Sequence, residues 1–389
     1  MSPRTMNDWN PNRVFDTHLD LQLSKEEIYD INKKLKDDIV GNDYGLADAV
    51  FAGGGVRGIA FLGALKCFDQ VGIKFRKVGG TSAGAITAAL VAAEIPTDDL
   101  ATIVGGLDFT KLLSKKTDWR IFNFSPDNDL KGWNLLWTFL NLSIIGRSGQ
   151  YSSEPLKDWL EGKLKLYKME TFESFLKLQE DEKWFNQRDL KIVVSDISHQ
   201  EMRVLPKDLC KYDCDPKSFL VAEAVRLSMS IPFFFEAGSL GTEDSSCIVD
   251  GGVLSNFPLW IFDTKSGERP NCPTFGFQLK EKPKESLEAA AKAEKPLAIL
   301  QSMFNTMHVA HDKHYVEEHQ SRLIEIVTDA DLTTKFGLTD SDKNELYRAG
   351  YTAAKEFLKT WSWRSHLERR GFSPDDNQKT IKSKELVNA

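Results

Sequence analysis

The stretch from Phe51 to Ala93, FAGGGVRGIAFLGALKCFDQVGIKFRKVGGTSAGAITAALVAA, restricts the fold more than any other part of this chain. Two glycine-rich turns, GGGVRG at 53–58 and GTSAG at 80–84, each follow an apolar strand-like run and open onto small apolar residues with helical length. A strand, turn, helix, strand, turn, helix series closes most simply as neighbouring parallel strands joined by a crossover helix. The expected fold class is therefore α/β with a mostly parallel central sheet.

The remainder of the chain continues that alternation. Strands are expected at Leu190 to Asp196, Ser246 to Asp250, Thr274 to Leu279 and Arg322 to Val327. Helices are expected at Pro155 to Leu164, Ser218 to Met229, Ala298 to Tyr315 and Ser341 to Leu358. One large α/β domain over 46–360 fits this pattern better than two, with surface elaboration between 110 and 150. Residues 1–45 read as an N-terminal extension with one helix, because Ser24 and Glu27 form a capping box before an amphipathic run. Residues 361–389 read as a polar tail, disordered from Gly371 on, and the Lys, Glu and Ala-rich stretch 280–295 reads as a surface arm or helix.

With 50 Lys and Arg against 57 Asp and Glu, the net charge of −7 offers no basic excess to neutralise phosphates, so no nucleic-acid partner is expected. Five scattered cysteines form no disulfide framework, and the Cys210/Cys214 pair has no second pair to complete a zinc site. The opening MSPRTMNDWNPNR lacks the apolar core of a secretory leader, so a cytoplasmic protein is expected. The most apolar run, Trp133 to Gly146, falls short of the roughly 18 residues that span a bilayer. It reads as a buried helix, a lid, or a segment that dips into a membrane surface through Trp133, Trp137 and Phe139.

The first turn fits G-x-G-x-x-G through Gly53, Gly55 and Gly58, the pattern of a dinucleotide cradle. A dinucleotide site also needs an acidic residue at the end of the second strand to hold the ribose, and VGGTSAG stands there instead. What remains is a set of backbone N–H groups at a helix start, able to hold a phosphate or the oxyanion of an acyl transfer. The second turn matches G-x-S-x-G, the nucleophile elbow, with Ser82 between Gly80 and Gly84.

A serine hydroxyl needs a base. Asp250 ends a strand and is followed by Gly251 and Gly252, which let the carboxylate project from the sheet edge. In a dry pocket beside Ser82 its basicity would rise. The competing arrangement is a triad in the order Ser82, Asp250 and then His308, His311 or His314, though those histidines lie in a run read as a solvated helix. A non-catalytic lipid-binding protein that keeps the fold is a further alternative.

Taken together and in order, GGGVRG at 53–58, GTSAG at 80–84, SMSIPFFFE at 228–236 and DGGVLSNFP at 250–258 resemble the patatin-like phospholipases. YSSEPLKDWL at 151–160 and GYTAAKEFL at 350–358 extend the likeness more loosely. The resemblance implies a three-layer α/β/α acyl hydrolase that uses a Ser–Asp dyad and no catalytic histidine. It casts Ser82 as nucleophile, Asp250 as general base, and the N–H groups around Gly54 and Gly55, within the loop Gly53 to Gly58, as the oxyanion hole. Arg57 takes a position where a basic residue could meet a lipid phosphate. The implied substrate is a membrane glycerolipid reached by transient peripheral contact, and neither a metal nor another cofactor is required.

Overall fold

The computed structural model describes residues 9–18, 21–38, 45–108, 110, 149–176, 187–241, 245–265, 267–282, 319–329, 332, 335 and 337–373. Ten strands and ten α-helices are described among them. The strands are β1 (Leu46–Phe51), β2 (Lys74–Thr81), β3 (Gly149–Tyr151), β4 (Asp189–Asp196), β5 (Glu201–Leu205), β6 (Phe233–Phe235), β7 (Gly238–Leu240), β8 (Ser246–Asp250), β9 (Thr274–Glu281) and β10 (Leu323–Thr328). The helices are α1 (Asn12–Thr17), α2 (Lys25–Asp38), α3 (Ile59–Gln70), α4 (Ala83–Ala92), α5 (Thr97–Gly105), α6 (Glu154–Leu166), α7 (Phe172–Leu176), α8 (Val221–Ser228), α9 (Asp340–Thr360) and α10 (Trp363–Arg369).

β10, β9, β1, β2 and β4 pair in that order and all run parallel. The antiparallel strands β5 and β8 join at β4, and β7 pairs with β8. Side chains along β1 alternate between two faces, as its pleat demands, and both faces are buried. Ala47, Ala49 and Phe51 face the main core beneath α3, α4 and α9, while Val50 and Ala52 face a smaller cluster with Phe257, Leu259 and Ile261. With apolar residues on both faces, β1 has the composition of a central parallel strand. The helix expected at 298–315, the surface arm beyond 282 and the apolar run 133–146 lie outside the described residues.

The chain ends are more integrated than their composition implies. Two helices, not one, precede β1, and Trp9, Val14, Phe15, Leu23 and Ile31 join the main core. The Trp9 indole N–H donates to Asn344 Oδ1 at 2.8 Å, and the Leu23 N–H donates to the Tyr351 hydroxyl at 3.0 Å, both on α9. After 360 the chain forms α10, capped by Ser362, with Trp363, His366 and Leu367 buried. Apolar anchors spaced within otherwise polar runs explain both departures from the sequence expectation.

Candidate active site

Both glycine turns leave the carboxyl ends of neighbouring strands, since Phe51 of β1 pairs with Gly80 of β2. A crevice at such ends is where open parallel sheets bind ligands. The first turn becomes a short 3-10 helix, Gly55–Gly58, that runs into α3. Gly55 has φ +59°, a conformation that glycine adopts without penalty. The second turn places Ser82 at the N-cap of α4 with φ 53° and ψ −128°. For a residue with a side chain such a backbone costs about 1–3 kcal/mol. α4 can approach closely because Gly84 lies against the Phe51 carbonyl, where a methyl group would collide with main chain.

Asp250 reaches Ser82 through a feature of β4. Ile192 and Val193 pair with both β2 and β5, whereas Val194, Ser195 and Asp196 pair with both β5 and β8. β2 and β8 therefore share the same edge of β4 and meet end to end. The Ser82 hydroxyl donates directly to Asp250 Oδ2 at 2.6 Å, and Asp250 Oδ1 accepts the Gly252 N–H at 2.7 Å. No imidazole stands between the two among the described residues, and His308, His311 and His314 lie outside them. Both residues are buried, at 6% exposure for Ser82 and 5% for Asp250. Burial pushes the Asp250 carboxyl up to about 6, opposed by the bonds from Ser82 and Gly252.

The other expected residues have distinct places. The Gly53 N–H is taken by the Asn256 carbonyl at 3.0 Å, which removes it from the expected oxyanion donors. Gly58 lies buried at the start of α3, beside Ala83. Gly80 packs against the backbone of Gly84, and Gly251 accepts from Ser195 Oγ at 3.2 Å. Arg57 departs from its expected role, because its side chain is buried rather than offered to a ligand. Its Nε donates to the Gly54 carbonyl and its Nη1 to Thr328 Oγ1, each at 3.4 Å, with Glu281 3.9 Å away. Desolvation lowers its pKa, with Glu281 opposing.

Three residues of the site were not singled out from the sequence. Asn256 donates back to the Gly53 carbonyl at 3.3 Å, fastening the first glycine turn to the loop after Asp250. Ser228 Oγ accepts the Ser82 N–H, and the Ser230 carbonyl accepts the Asp250 N–H, each at 2.9 Å. All three stand inside the motifs SMSIPFFFE and DGGVLSNFP, which was the available signal.

A buried serine on a strained strand-to-helix turn, bonded to a carboxylate of raised basicity, is an arrangement suited to nucleophilic attack on an electrophilic carbon. The family model that matches the chain is that of the patatin-like phospholipases, and it spans residues 49–263, which include both glycine turns, Ser82 and Asp250. This chain belongs to the patatin-like phospholipase family. YqhO of Bacillus subtilis (strain 168), an uncharacterized protein, is 33% identical over 319 residues, 81% of this chain and 99% of that protein. Neuropathy target esterase sws of Drosophila persimilis is 37% identical over 82 residues, 21% of this chain and only 6% of that much longer protein. Among solved structures, VipD from Legionella pneumophila aligns with TM-score 0.46 and 16% identity over 80% of this chain and 66% of its own. ExoU of Pseudomonas aeruginosa aligns with TM-score 0.44 and 18% identity over 84% of this chain and 52% of its own. The chain thus spans between half and two thirds of those two proteins. As a patatin-like phospholipase it is a member of a lipid acyl hydrolase family, and no described helix is long and apolar enough to cross a membrane.

Proposed function

We propose that this protein is a phospholipase A-type acyl hydrolase that cleaves fatty-acyl esters of membrane glycerolipids through a Ser82–Asp250 dyad. The observation that carries this reading is the direct 2.6 Å bond from the Ser82 hydroxyl to Asp250 Oδ2, made from a strained nucleophile elbow.

In the first step Asp250 takes the Ser82 proton as Oγ bonds to the ester carbonyl carbon. The carbonyl oxygen becomes an oxyanion, held by the Gly54 and Gly55 N–H groups and favoured by the positive end of α4. Collapse breaks the ester C–O bond, and the departing lysolipid alcohol takes the proton from Asp250. A water then attacks the acyl-serine and gives its proton to Asp250. The second collapse releases the fatty acid and returns the proton to Ser82. The sequence needs neither a metal nor another cofactor. A lipid ester as substrate is supported by family membership, and a cytoplasmic enzyme touching membranes peripherally is the matching setting.

The test is fatty-acid release from mixed phospholipid vesicles by wild type, Ser82→Ala and Asp250→Asn, each checked for folding by circular dichroism. Release by wild type that both substitutions abolish supports the dyad. Release that survives Asp250→Asn but not a substitution at His308, His311 or His314 would replace the dyad with a triad.

A further inference from the structure

We infer that Ser228 is a positioning residue for the nucleophile: its hydroxyl grips the main chain of Ser82 and holds the elbow in its strained conformation. The inference rests on Ser82 and Asp250 being the catalytic pair and adds a residue that touches neither the reacting carbonyl nor the attacking oxygen.

The hydrogen-bond geometry leaves the Ser228 hydroxyl one arrangement. It has a single proton, and the Val193 carbonyl lies 2.6 Å away, an acceptor only. The Ser82 N–H lies 2.9 Å away, a donor only. The proton therefore points at Val193 and a lone pair at Ser82. Val193 is also the β4 residue that pairs with Thr81, so the clamp spans the last rung of β2 and the first residue beyond it. Ser228 is wholly buried, so its hydroxyl makes these bonds away from bulk water. Two residues on, the Ser230 carbonyl holds the Asp250 N–H. A short segment at the end of α8 thus grips both dyad residues by their main chains.

The grip matters because Ser82 has somewhere else to go. Its φ of 53° is unfavourable for a residue with a Cβ, and rotation of the preceding peptide would relieve it. That rotation would turn the Ser82 N–H away from Ser228 and loosen the turn that presents Oγ to Asp250. Ser228 opposes it by making the inward position of the N–H the bonded one. The same bond withdraws the Ser82 N–H from oxyanion binding, consistent with donors on the opposite wall at Gly54 and Gly55.

The experiment compares full-length wild type, Ser228→Ala and Ser246→Ala, the last a buried serine on β8 whose hydroxyl faces His199. Four quantities are read: kcat and KM on a soluble p-nitrophenyl acyl ester, the rate of covalent labelling by a fluorophosphonate, and hydrogen exchange at the Ser82 amide. For Ser228→Ala the expected result is a fall in kcat and labelling of about 10- to 100-fold, with KM within about twofold. Exchange at Ser82 should quicken by at least about 10-fold. Ser246→Ala should change none of these. Undiminished kcat together with unchanged Ser82 protection in Ser228→Ala overturns the inference, as do equal losses in the two variants. Should wild type neither hydrolyse nor label, the hydrolase reading fails, and Ser82 exchange still decides whether Ser228 holds the elbow.

Discussion

Thr81 and Asp250 sit end to end along one edge of β4, opposite the successive residues Val193 and Val194. Ser82, the residue after Thr81, and Asp250 are 168 positions apart and are brought together in this way by sheet register. β2 runs up the edge and turns away at Ser82, while β8 comes down the same edge and stops at Asp250. Ser82 and Asp250 occupy the gap where two strands of opposite direction meet, and the register of the sheet sets their separation.

Asp250→Asn is expected to separate activity from stability. An Asn side chain can accept the Gly252 N–H through Oδ1 and donate to Ser82 Oγ through Nδ2, so the site's shape is kept while the base is lost. Catalysis should fall about 100- to 10,000-fold, the usual contribution of a general base. The fold should gain, because a buried carboxylate held near 6 against an ordinary 3.8 costs the native state about 3 kcal/mol at neutral pH. Thermal unfolding at pH 7 should show a midpoint above that of wild type, and a lowered midpoint would contradict this account.

The same carboxyl predicts opposite pH trends for activity and stability. Because its folded pKa lies above the unfolded value, the stability it contributes is present below about pH 4 and is lost as pH rises through about 6. Catalysis needs the ionised form, so kcat/KM on a soluble ester should rise through an apparent pKa of about 6. Denaturant melts of wild type and Asp250→Asn from pH 4 to 7 should diverge across that interval. A rate profile whose acidic limb lies near 4 would mean that Asp250 is more solvated during turnover than the structure has it.

How far the site was legible in the sequence depended on whether the information was local. Ser82 and Asp250 could be read because each sits in a short glycine pattern that only a tight turn at a strand end requires. β4, β8, β9 and β10 could be read because apolar runs of strand length stand out between helical stretches. Ser228 could not be assigned a role, since its partner lies 146 residues away and nothing near it in sequence marks a buried hydroxyl as an acceptor. β7, three residues long, is too short to show alternation. Arg57 misled because a charged residue beside a glycine loop looks like a ligand contact, and its inward turn depends on Thr328 and Glu281 at the far end of the chain.

For Arg57 the structure predicts that loss of charge harms catalysis without affecting recognition of a phosphate headgroup. Its Nε holds the carbonyl of Gly54, and so orients the peptide whose next N–H belongs to Gly55. Arg57→Gln should lower kcat by a similar factor on a phospholipid and on a phosphate-free acyl ester, with vesicle binding unchanged. A loss confined to the phospholipid would restore the headgroup role.

Two glycine substitutions should fail in different ways. A methyl at Gly84 would meet the main-chain carbonyl of Phe51, which β1 holds between two parallel neighbours and which cannot retreat. Gly84→Ala should therefore separate α4 from the sheet and destabilise the whole domain, as overpacking against backbone does, by about 1–3 kcal/mol or more. A methyl at Gly54 would collide first with Cδ1 of the Leu279 side chain, which can change rotamer. Gly54→Ala should accordingly unfold near the wild-type temperature while losing turnover, because the contact that Leu279 does not relieve shifts the loop enough to take its N–H groups off the oxyanion. Removal of a single oxyanion donor costs about 100- to 1,000-fold in kcat, and a loss of that order with an intact melt is the expected signature. If Gly54→Ala instead keeps full activity, the oxyanion is held elsewhere, and the N–H of Ala83 at the start of α4 becomes the donor to examine.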